Sequence, residues 1–353
     1  MRILKLTSES KKNILENLLK RSPNSYGEYE SAVNDILSNV KTEGDKALFQ
    51  YTKDFDKADI NSSNVVVTQE EIDEAYNLVD KNLLNVIRKA LVNIRSFHEK
   101  QKQYSWFDSK PDGTMLGQKV TALSRVGVYV PGGKAAYPSS VLMNVIPAKV
   151  AGVEEIIMCP PPGKDGKVYP TTLVAAKEAG VDVIYKVGGA QAVGAMAYGT
   201  ESIPKVDKIV GPGNIYVALA KKAVFGYVSI DSVAGPSEIM VLADETANPR
   251  FVAADLLSQA EHDEMASAIL VTTSEELAGQ VSKEVDGFVA VLSRKDIIQK
   301  SLDTYGYILI AAAFYAVFYH FSLIMDSNNS FGKAAAVQQI QYMKKYRLSA
   351  DGY

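Results

Sequence analysis

The chain has 353 residues, more than one ordinary hydrophobic core needs, and this length predicts two domains. Its composition, 47% hydrophobic and 22% charged, is typical of a globular protein, and a net charge of −3 without a basic block argues against nucleic acid as a partner. Cys159 is the only cysteine, so no intrachain disulfide can form, and the first residues lack the apolar run of a secretory signal. Both features favour a cytoplasmic protein.

The first third of the sequence has helical periodicity. Apolar residues recur at helical spacing over residues 10–50. The segment "TQEEIDEAYNLVDKNLLNVIRKALVNIRSFHEKQ" predicts one long amphipathic helix, with Thr68 and Glu71 as a capping box at its start.

From residue 125 onward, short apolar strands alternate with helices. The segments "RVGVYVPGG", "EEIIMCPPP", "VDVIYKV" and "VDKIV" predict strands that lead into helices. A later helix begins with Asn248 as N-cap and Pro249 at its first position, and "SAILVTTS" predicts a further strand. Such alternation is typical of parallel sheets covered on both faces, whose ligands bind at the carboxyl ends of the strands.

One segment, residues 307–325, is apolar except for His320 and Ser322. Its length would suffice to span a bilayer, and it equally suits a buried strand followed by a buried helix. We favour the second interpretation, because nothing else in the sequence resembles a membrane protein.

Two glycine turns are candidates for binding a phosphorylated ligand. Gly211 and Gly213 stand between a strand and a helix, as in a phosphate cradle, but they equally suit a tight turn without a ligand. Gln191, at the start of another helix, could bond a ribose or a nicotinamide amide, or cap its own helix.

Three other polar residues are candidates on the substrate side. Ser237 lacks a neighbouring base and a nucleophile-elbow motif, so it suits hydrogen bonding to a substrate better than attack on one. Gln259 and His262, three residues apart on a predicted helix, would face the same side. The pair suits either half of a zinc site or a histidine hydrogen-bonded at a helix surface.

Taken together, these segments resemble the histidinol dehydrogenase family over residues 10–306. The resemblance lies in "RVGVYVPGGKAAYPSSVLMNVIPAKVAGV", "GGAQAVGAMAYGT", "VDKIVGPGNIYVALAKK", "DSVAGPSEIMVLAD" and "LLSQAEHDEMASAILVT". It implies an oxidoreductase of histidine biosynthesis that uses zinc and NAD to oxidise L-histidinol to L-histidine through an aldehyde. It also implies a homodimer whose active sites draw on both chains.

The resemblance also implies residue roles. Tyr129, Gln191 and Asn214 would contact NAD. Ser237 would contact the substrate. Gln259 and His262 would bind both zinc and the substrate.

The sequence departs from the family pattern near its end. The Glu-His catalytic pair of the family has no match, because His320 follows Tyr319 and comes too soon after Gly306. The family's later zinc ligands are also unmatched, so the catalytic residues stay unassigned. Three hypotheses remain: a histidinol dehydrogenase, active or inactive; a dehydrogenase of another small amino alcohol; and a non-catalytic binding protein, with the membrane as a disfavoured partner.

For the fold, we predict two doubly wound parallel-sheet α/β domains of incomplete Rossmann-like type, with a helical N-terminal extension over residues 1–25. The first domain would combine residues 26–128 with 238–310 on the zinc side. The second, residues 129–237, would contact NAD. Residues 311–353 form a divergent tail, for which a frameshift, a deletion and a genuine variant all stay open.

Overall fold

The computed structural model describes residues 1–19, 27–132, 137–233 and 237–312. The strands in chain order are β1 (Arg2–Lys5), β2 (Trp106–Ser109), β3 (Met115–Gln118), β4 (Arg125–Tyr129), β5 (Glu155–Cys159), β6 (Val183–Ile184), β7 (Lys208–Val210), β8 (Ser229–Ile230), β9 (Glu238–Ala243), β10 (Ser267–Thr272) and β11 (Gly306–Ile310). The helices are α1 (Ser8–Leu19), α2 (Gly27–Glu43), α3 (Asp45–Asp56), α4 (Gln69–Leu78), α5 (Lys81–Glu99), α6 (Pro138–Ala151), α7 (Pro170–Ala179), α8 (Gly189–Tyr198), α9 (Ile215–Val224), α10 (Pro249–Ala260), α11 (Glu275–Val291) and α12 (Lys295–Tyr305).

The described residues divide into two compact units. One unit combines residues 1–19 with 237–312, and the other comprises residues 27–233. This division differs from the predicted one, in which residues 26–128 join residues 238–310. The observed division follows from packing, because apolar residues of α2 and α3 share one core with α8 and α9.

The unit of residues 27–233 is built on a five-stranded parallel sheet with the order β6-β5-β4-β7-β8. Its central strands are apolar on both sides, as strands covered by helices on both faces must be. Helices α2, α3, α8 and α9 contribute to the core on one face, and α4 to α7 contribute to the core on the other. The predicted doubly wound arrangement is therefore confirmed for this unit.

The other unit contains a four-stranded parallel sheet with the order β1-β11-β10-β9. The N-terminal segment is not purely helical as predicted, because β1 precedes α1 and pairs with β11. The start of the apolar segment 307–325 lies in β11, which is buried between β1 and β10. This confirms the predicted buried strand; His320 and the predicted helix lie outside the described residues.

The long helix predicted from residue 68 is in fact two helices. The capping box is confirmed, since Thr68 accepts the Glu71 backbone N–H and Glu71 accepts that of Thr68. The helix ends at Leu78, and a second helix begins because the Asp80 carboxylate caps the backbone N–H groups of Asn82 and Leu83. A periodicity argument overlooks such a break, because the apolar stripe continues through it.

A two-stranded antiparallel hairpin, β2 with β3, was not predicted. Each residue from 99 to 124 is exposed to solvent. The large apolar residues in and beside the hairpin that are more than half exposed are Tyr104, Trp106, Phe107, Met115 and Leu116.

In the part of the chain that the structure describes, no helix combines the length and the apolar character that crossing a membrane requires.

Candidate functional site

The order in which the chain adds strands to the five-stranded sheet reverses between β4 and β7. The chain runs outward from β4 to β5 and β6, then returns to place β7 on the other side of β4. Tyr129 ends β4, and Gly211 follows the last residue of β7. In open α/β sheets, the carboxyl ends of the strands at such a switch point form the crevice that binds ligands.

Tyr129 lies at the centre of this crevice. Its side chain is buried, with 3% of the residue exposed, and its hydroxyl oxygen accepts a hydrogen bond from the Gly189 backbone N–H at 3.3 Å. A Cβ atom on Gly213 would lie 3.1 Å from the Tyr129 ring, so the turn of Gly211 and Gly213 is also close to this ring. Burial raises the pKa of Tyr129 to about 12, which keeps the hydroxyl protonated and able to donate at neutral pH.

Gln191 lies in the first turn of α8 with 1% of its surface exposed. Both polar atoms of its amide lack a hydrogen-bond partner. The alternative that Gln191 caps its own helix is not observed, since α8 has no side-chain cap. A buried amide with two unmet hydrogen-bonding atoms is expected where a polar ligand completes the site.

Asn214 follows the Gly-Pro-Gly turn and is the N-cap of α9. Its side-chain oxygen accepts the Val217 backbone N–H at 3.2 Å. Gly211 has a φ of 115°, and a Cβ there would overlap the Tyr129 carbonyl oxygen, so only glycine fits. The turn is thereby held directly against the end of β4.

An ion pair beneath this turn fixes its position. The buried Lys221 ammonium pairs with Asp231 and donates to the Gly211 carbonyl at 2.9 Å. The Asp231 carboxylate also accepts the Gly211 backbone N–H at 2.8 Å. Both backbone polar groups of Gly211 are therefore satisfied from the protein side, which orients the turn.

The predicted substrate-side residues lie in the other unit, near the amino-terminal ends of the strands of its sheet. Ser237 is exposed just before β9, and its carbonyl accepts the Ser267 backbone N–H at 3.1 Å. Gln259 is half-buried near the end of α10, whereas His262 is exposed in the turn that leads to β10. The predicted shared helical face is wrong, because α10 ends at Ala260; a turn hydrogen bond from the His262 N–H to the Gln259 carbonyl, 3.1 Å, keeps the two residues adjacent.

The described residues do not complete a zinc site. Within the described ranges, no cluster of three or more His, Cys, Asp or Glu side chains is arranged to hold a metal. The neighbouring acidic residues have other partners, since Asp263 accepts the Met265 backbone N–H and Glu264 pairs with Lys300. Gln259 and His262 alone are fewer ligands than a zinc site has.

Sequence reasoning missed two residues near the crevice. Lys221 stands in the segment "AKKAV", where nothing distinguishes it from the exposed Lys222. Asp56, the last residue of α3, is half-buried and has an unpartnered carboxylate oxygen. No local signal marks either residue, because both gain their surroundings from segments distant in sequence.

Two parallel sheets and a polar crevice at a switch point define an α/β protein of Rossmann-like architecture. The sequence model of the histidinol dehydrogenase family matches residues 19–321. The chain belongs to the histidinol dehydrogenase family.

Individual relatives agree with this assignment. The histidinol dehydrogenase of Halalkalibacterium halodurans is 59% identical over 281 residues, which are 80% of this chain and 66% of that protein. That of Bacillus subtilis is 60% identical over 284 residues, with the same coverage of 80% and 66%. The crystal structure of histidinol dehydrogenase from Elizabethkingia anophelis matches with a TM-score of 0.83 and 37% identity, covering 92% of this chain and 73% of that one. The chain thus spans just under two thirds of the length of the first two relatives.

Proposed function

We propose that this chain uses NAD to oxidise L-histidinol to L-histidine through the aldehyde, in the cytoplasm. The observation that carries the proposal is the convergence of Tyr129 and the turns bearing Gln191 and Asn214 at the switch point of the sheet. The full oxidation removes four electrons from the alcohol carbon and adds one water, so two NAD molecules accept one hydride each. Family membership and the relatives' names support this substrate.

The crevice fits NAD. The unpartnered Gln191 amide offers an NH2 group as donor and a carbonyl oxygen as acceptor, which match a ribose hydroxyl or a carboxamide. The starts of α8 and α9 offer backbone N–H groups and positive dipole ends to a pyrophosphate. Tyr129 lies between the starts of these two helices. NAD would supply the hydride acceptor, and these residues would bind and orient it.

On the substrate side, we propose that Ser237, Gln259 and His262 contact histidinol. Their support is the match to the family's motifs and the turn that keeps Gln259 and His262 adjacent. Among the described residues, Gln259 and His262 are fewer ligands than zinc requires, so the roles proposed for the three residues are in binding the substrate.

We also propose that the chain forms a homodimer through the hairpin of β2 and β3. The register places Trp106 and Leu116 on one face of the hairpin and Phe107 and Met115 on the other. An isolated two-stranded hairpin is marginally stable in water, so apolar residues on both faces favour a covering partner. These four side chains and the neighbouring Tyr104 offer on the order of 600 Å² per copy. Mutual burial would total about 1,200 Å², the size of a small specific interface.

The proposal is tested by NAD binding and by turnover. Calorimetry should detect NAD binding by the purified chain, and Gln191→Leu should weaken it. Gln280→Leu, which removes an exposed amide bonded to Glu276, should leave it unchanged. Absence of NAD binding by the folded wild-type chain would refute the nucleotide site.

Turnover is measured as NADH formed with L-histidinol, NAD and added zinc. Two NADH per histidine would confirm the activity. Binding of NAD without histidinol-dependent NADH would instead favour the non-catalytic hypothesis. A panel of amino alcohols would reveal a different substrate.

A further inference from the structure

Unsatisfied buried polar atoms are concentrated in two side chains. Within the described residues, the buried side-chain nitrogen and oxygen atoms without a hydrogen-bond partner are Asp56 Oδ2 and the two amide atoms of Gln191. Buried polar atoms in folded proteins are almost always paired, and an exception calls for a missing partner such as a ligand. Asp56 belongs to neither of the motifs that point to the crevice.

Tyr129 is near both of these side chains, Gln191 and Asp56. It accepts the Gly189 N–H, and the Gln191 amide folds back against Gly189 so closely that a Cβ there would overlap it. The Asp56 charge also acts on Tyr129, since it contributes, after burial, to the raised pKa of the Tyr129 hydroxyl. Ala58, two residues after Asp56, packs in the same core as Tyr129. Helix α3, which ends at Asp56, also packs against α8, whose first turn carries Gln191. The end of α3 therefore lies on the face of the sheet that carries α8, near the crevice.

Helix stability does not explain an aspartate at this position. Asp56 is the last residue of α3, where a negative charge meets the negative end of the helix dipole. The next residue, Lys57, donates to the Asp54 carbonyl at 2.7 Å and does not pair with Asp56. Burial without a compensating partner raises the pKa of Asp56 to about 6, because burial penalises the charged form, and a hydrogen-bond donor from a ligand would stabilise that form.

We infer that Asp56 binds the ribose hydroxyls of NAD and selects NAD against NADP. This inference rests on the proposed NAD function. A carboxylate only accepts hydrogen bonds, and the vicinal hydroxyls of a ribose present two donors to it. The 2′-phosphate of NADP would remove one donor and place negative charge against the carboxylate, which repels it.

The test compares Asp56→Asn with the wild-type chain in calorimetric titrations with NAD and with NADP at pH 8. The matched control is Asp54→Asn in the same helix, where the Asp54 carboxylate accepts hydrogen bonds from the exposed Gln50 amide. Asp56→Asn should weaken NAD binding about tenfold, as expected for the loss of a charge-assisted hydrogen bond. It should also reduce the preference for NAD over NADP, whereas Asp54→Asn should change neither quantity.

The outcomes separate the two proposals. If the wild-type chain binds neither dinucleotide, the NAD function and the role of Asp56 both fail. If it binds NAD and Asp56→Asn leaves the NAD to NADP ratio unchanged, only the role of Asp56 is overturned. Circular dichroism checks folding, and Asp56→Ser replaces Asp56→Asn in the same titrations if the asparagine variant does not fold.

Discussion

The Lys221 ammonium donates a hydrogen bond to the Gly211 carbonyl at 2.9 Å from a fully buried position. Asp231, its ion-pair partner, accepts the N–H of the same glycine. Lys221 and Asp231 thus hydrogen-bond to both backbone polar groups of Gly211, in the turn that leads into α9. This arrangement makes the shape of the turn sensitive to a residue that need not contact a ligand itself.

Lys221→Met should therefore loosen the turn. Removing one partner of a largely buried ion pair leaves the other uncompensated, and we expect a loss of about 2–3 kcal/mol in the free energy of unfolding. NAD affinity should fall as well. Urea unfolding and calorimetric titration measure the two effects.

Lys222→Met is the matched control for that variant. Lys222 forms an ion pair with Glu30 in which both side chains are more than two-fifths exposed, and such pairs contribute about 0–1 kcal/mol. Equal losses of stability in the two variants would contradict the structural role of Lys221.

Gly211→Ala tests the close approach of the turn to β4. Its φ of 115° strains any side chain, and a Cβ would overlap the Tyr129 carbonyl. Gly226 has a φ of 104° but open space around the Cβ position, so Gly226→Ala isolates the backbone strain at about 1–2 kcal/mol. Gly211→Ala should cost about 2 kcal/mol more, from steric overlap. Chemical unfolding measures the loss in the free energy of unfolding for both variants. Similar losses would show that the turn can move away from Tyr129.

Asp56 should make stability depend on pH. Its folded-state pKa of about 6 lies above the ordinary value of 3.8, so the folded protein binds the proton more tightly than the unfolded chain. The contribution of Asp56 to stability is therefore full below pH 4 and is lost as the pH rises to about 6. Tyr129 and Cys159, buried in the same core, stay protonated in this range because burial raises both pKa values.

Asp56→Asn removes this dependence, because an amide does not ionise. In urea unfolding, the variant should gain stability relative to the wild-type chain between pH 4 and pH 6, and the gain should persist at pH 8. A constant difference between the two proteins from pH 4 to pH 8 would contradict the raised pKa.

If the chain dimerises through the hairpin, polar substitutions on the hairpin should weaken the dimer. Phe107→Ser combined with Met115→Ser removes two apolar side chains from one face of the hairpin and should weaken the dimer. Phe251→Ser is the control, since Phe251 is 70% exposed on α10 and Phe107 is 66% exposed on the hairpin. Sedimentation velocity over a range of concentrations measures the monomer–dimer equilibrium. A monomeric wild-type chain, or a dimer unaffected by the double variant, would refute the proposed interface.

Over residues 125–291, local sequence patterns predict the strands and helices and the parallel character of the sheets, and the structure agrees with them; helix α12 is not predicted. This succeeded because buried parallel strands are apolar runs, and because caps such as Asn248 with Pro249 act within a few residues. The motifs around Tyr129, Gln191 and Asn214 were also found, because glycine turns and helix starts are local features.

Which elements share a core and which polar groups lack partners depends on contacts between segments that are distant in the sequence. Helices α2 and α3 join the five-stranded sheet through packing with α8 and α9, a choice between cores that periodicity cannot make. Lys221 and Lys222 have the same charge and adjacent positions, yet one is buried and the other exposed. Asp56 and Gln191 stand out only because burial removed their water without supplying a partner. The free energy of such groups depends on contacts between segments distant in the chain, which no local pattern encodes.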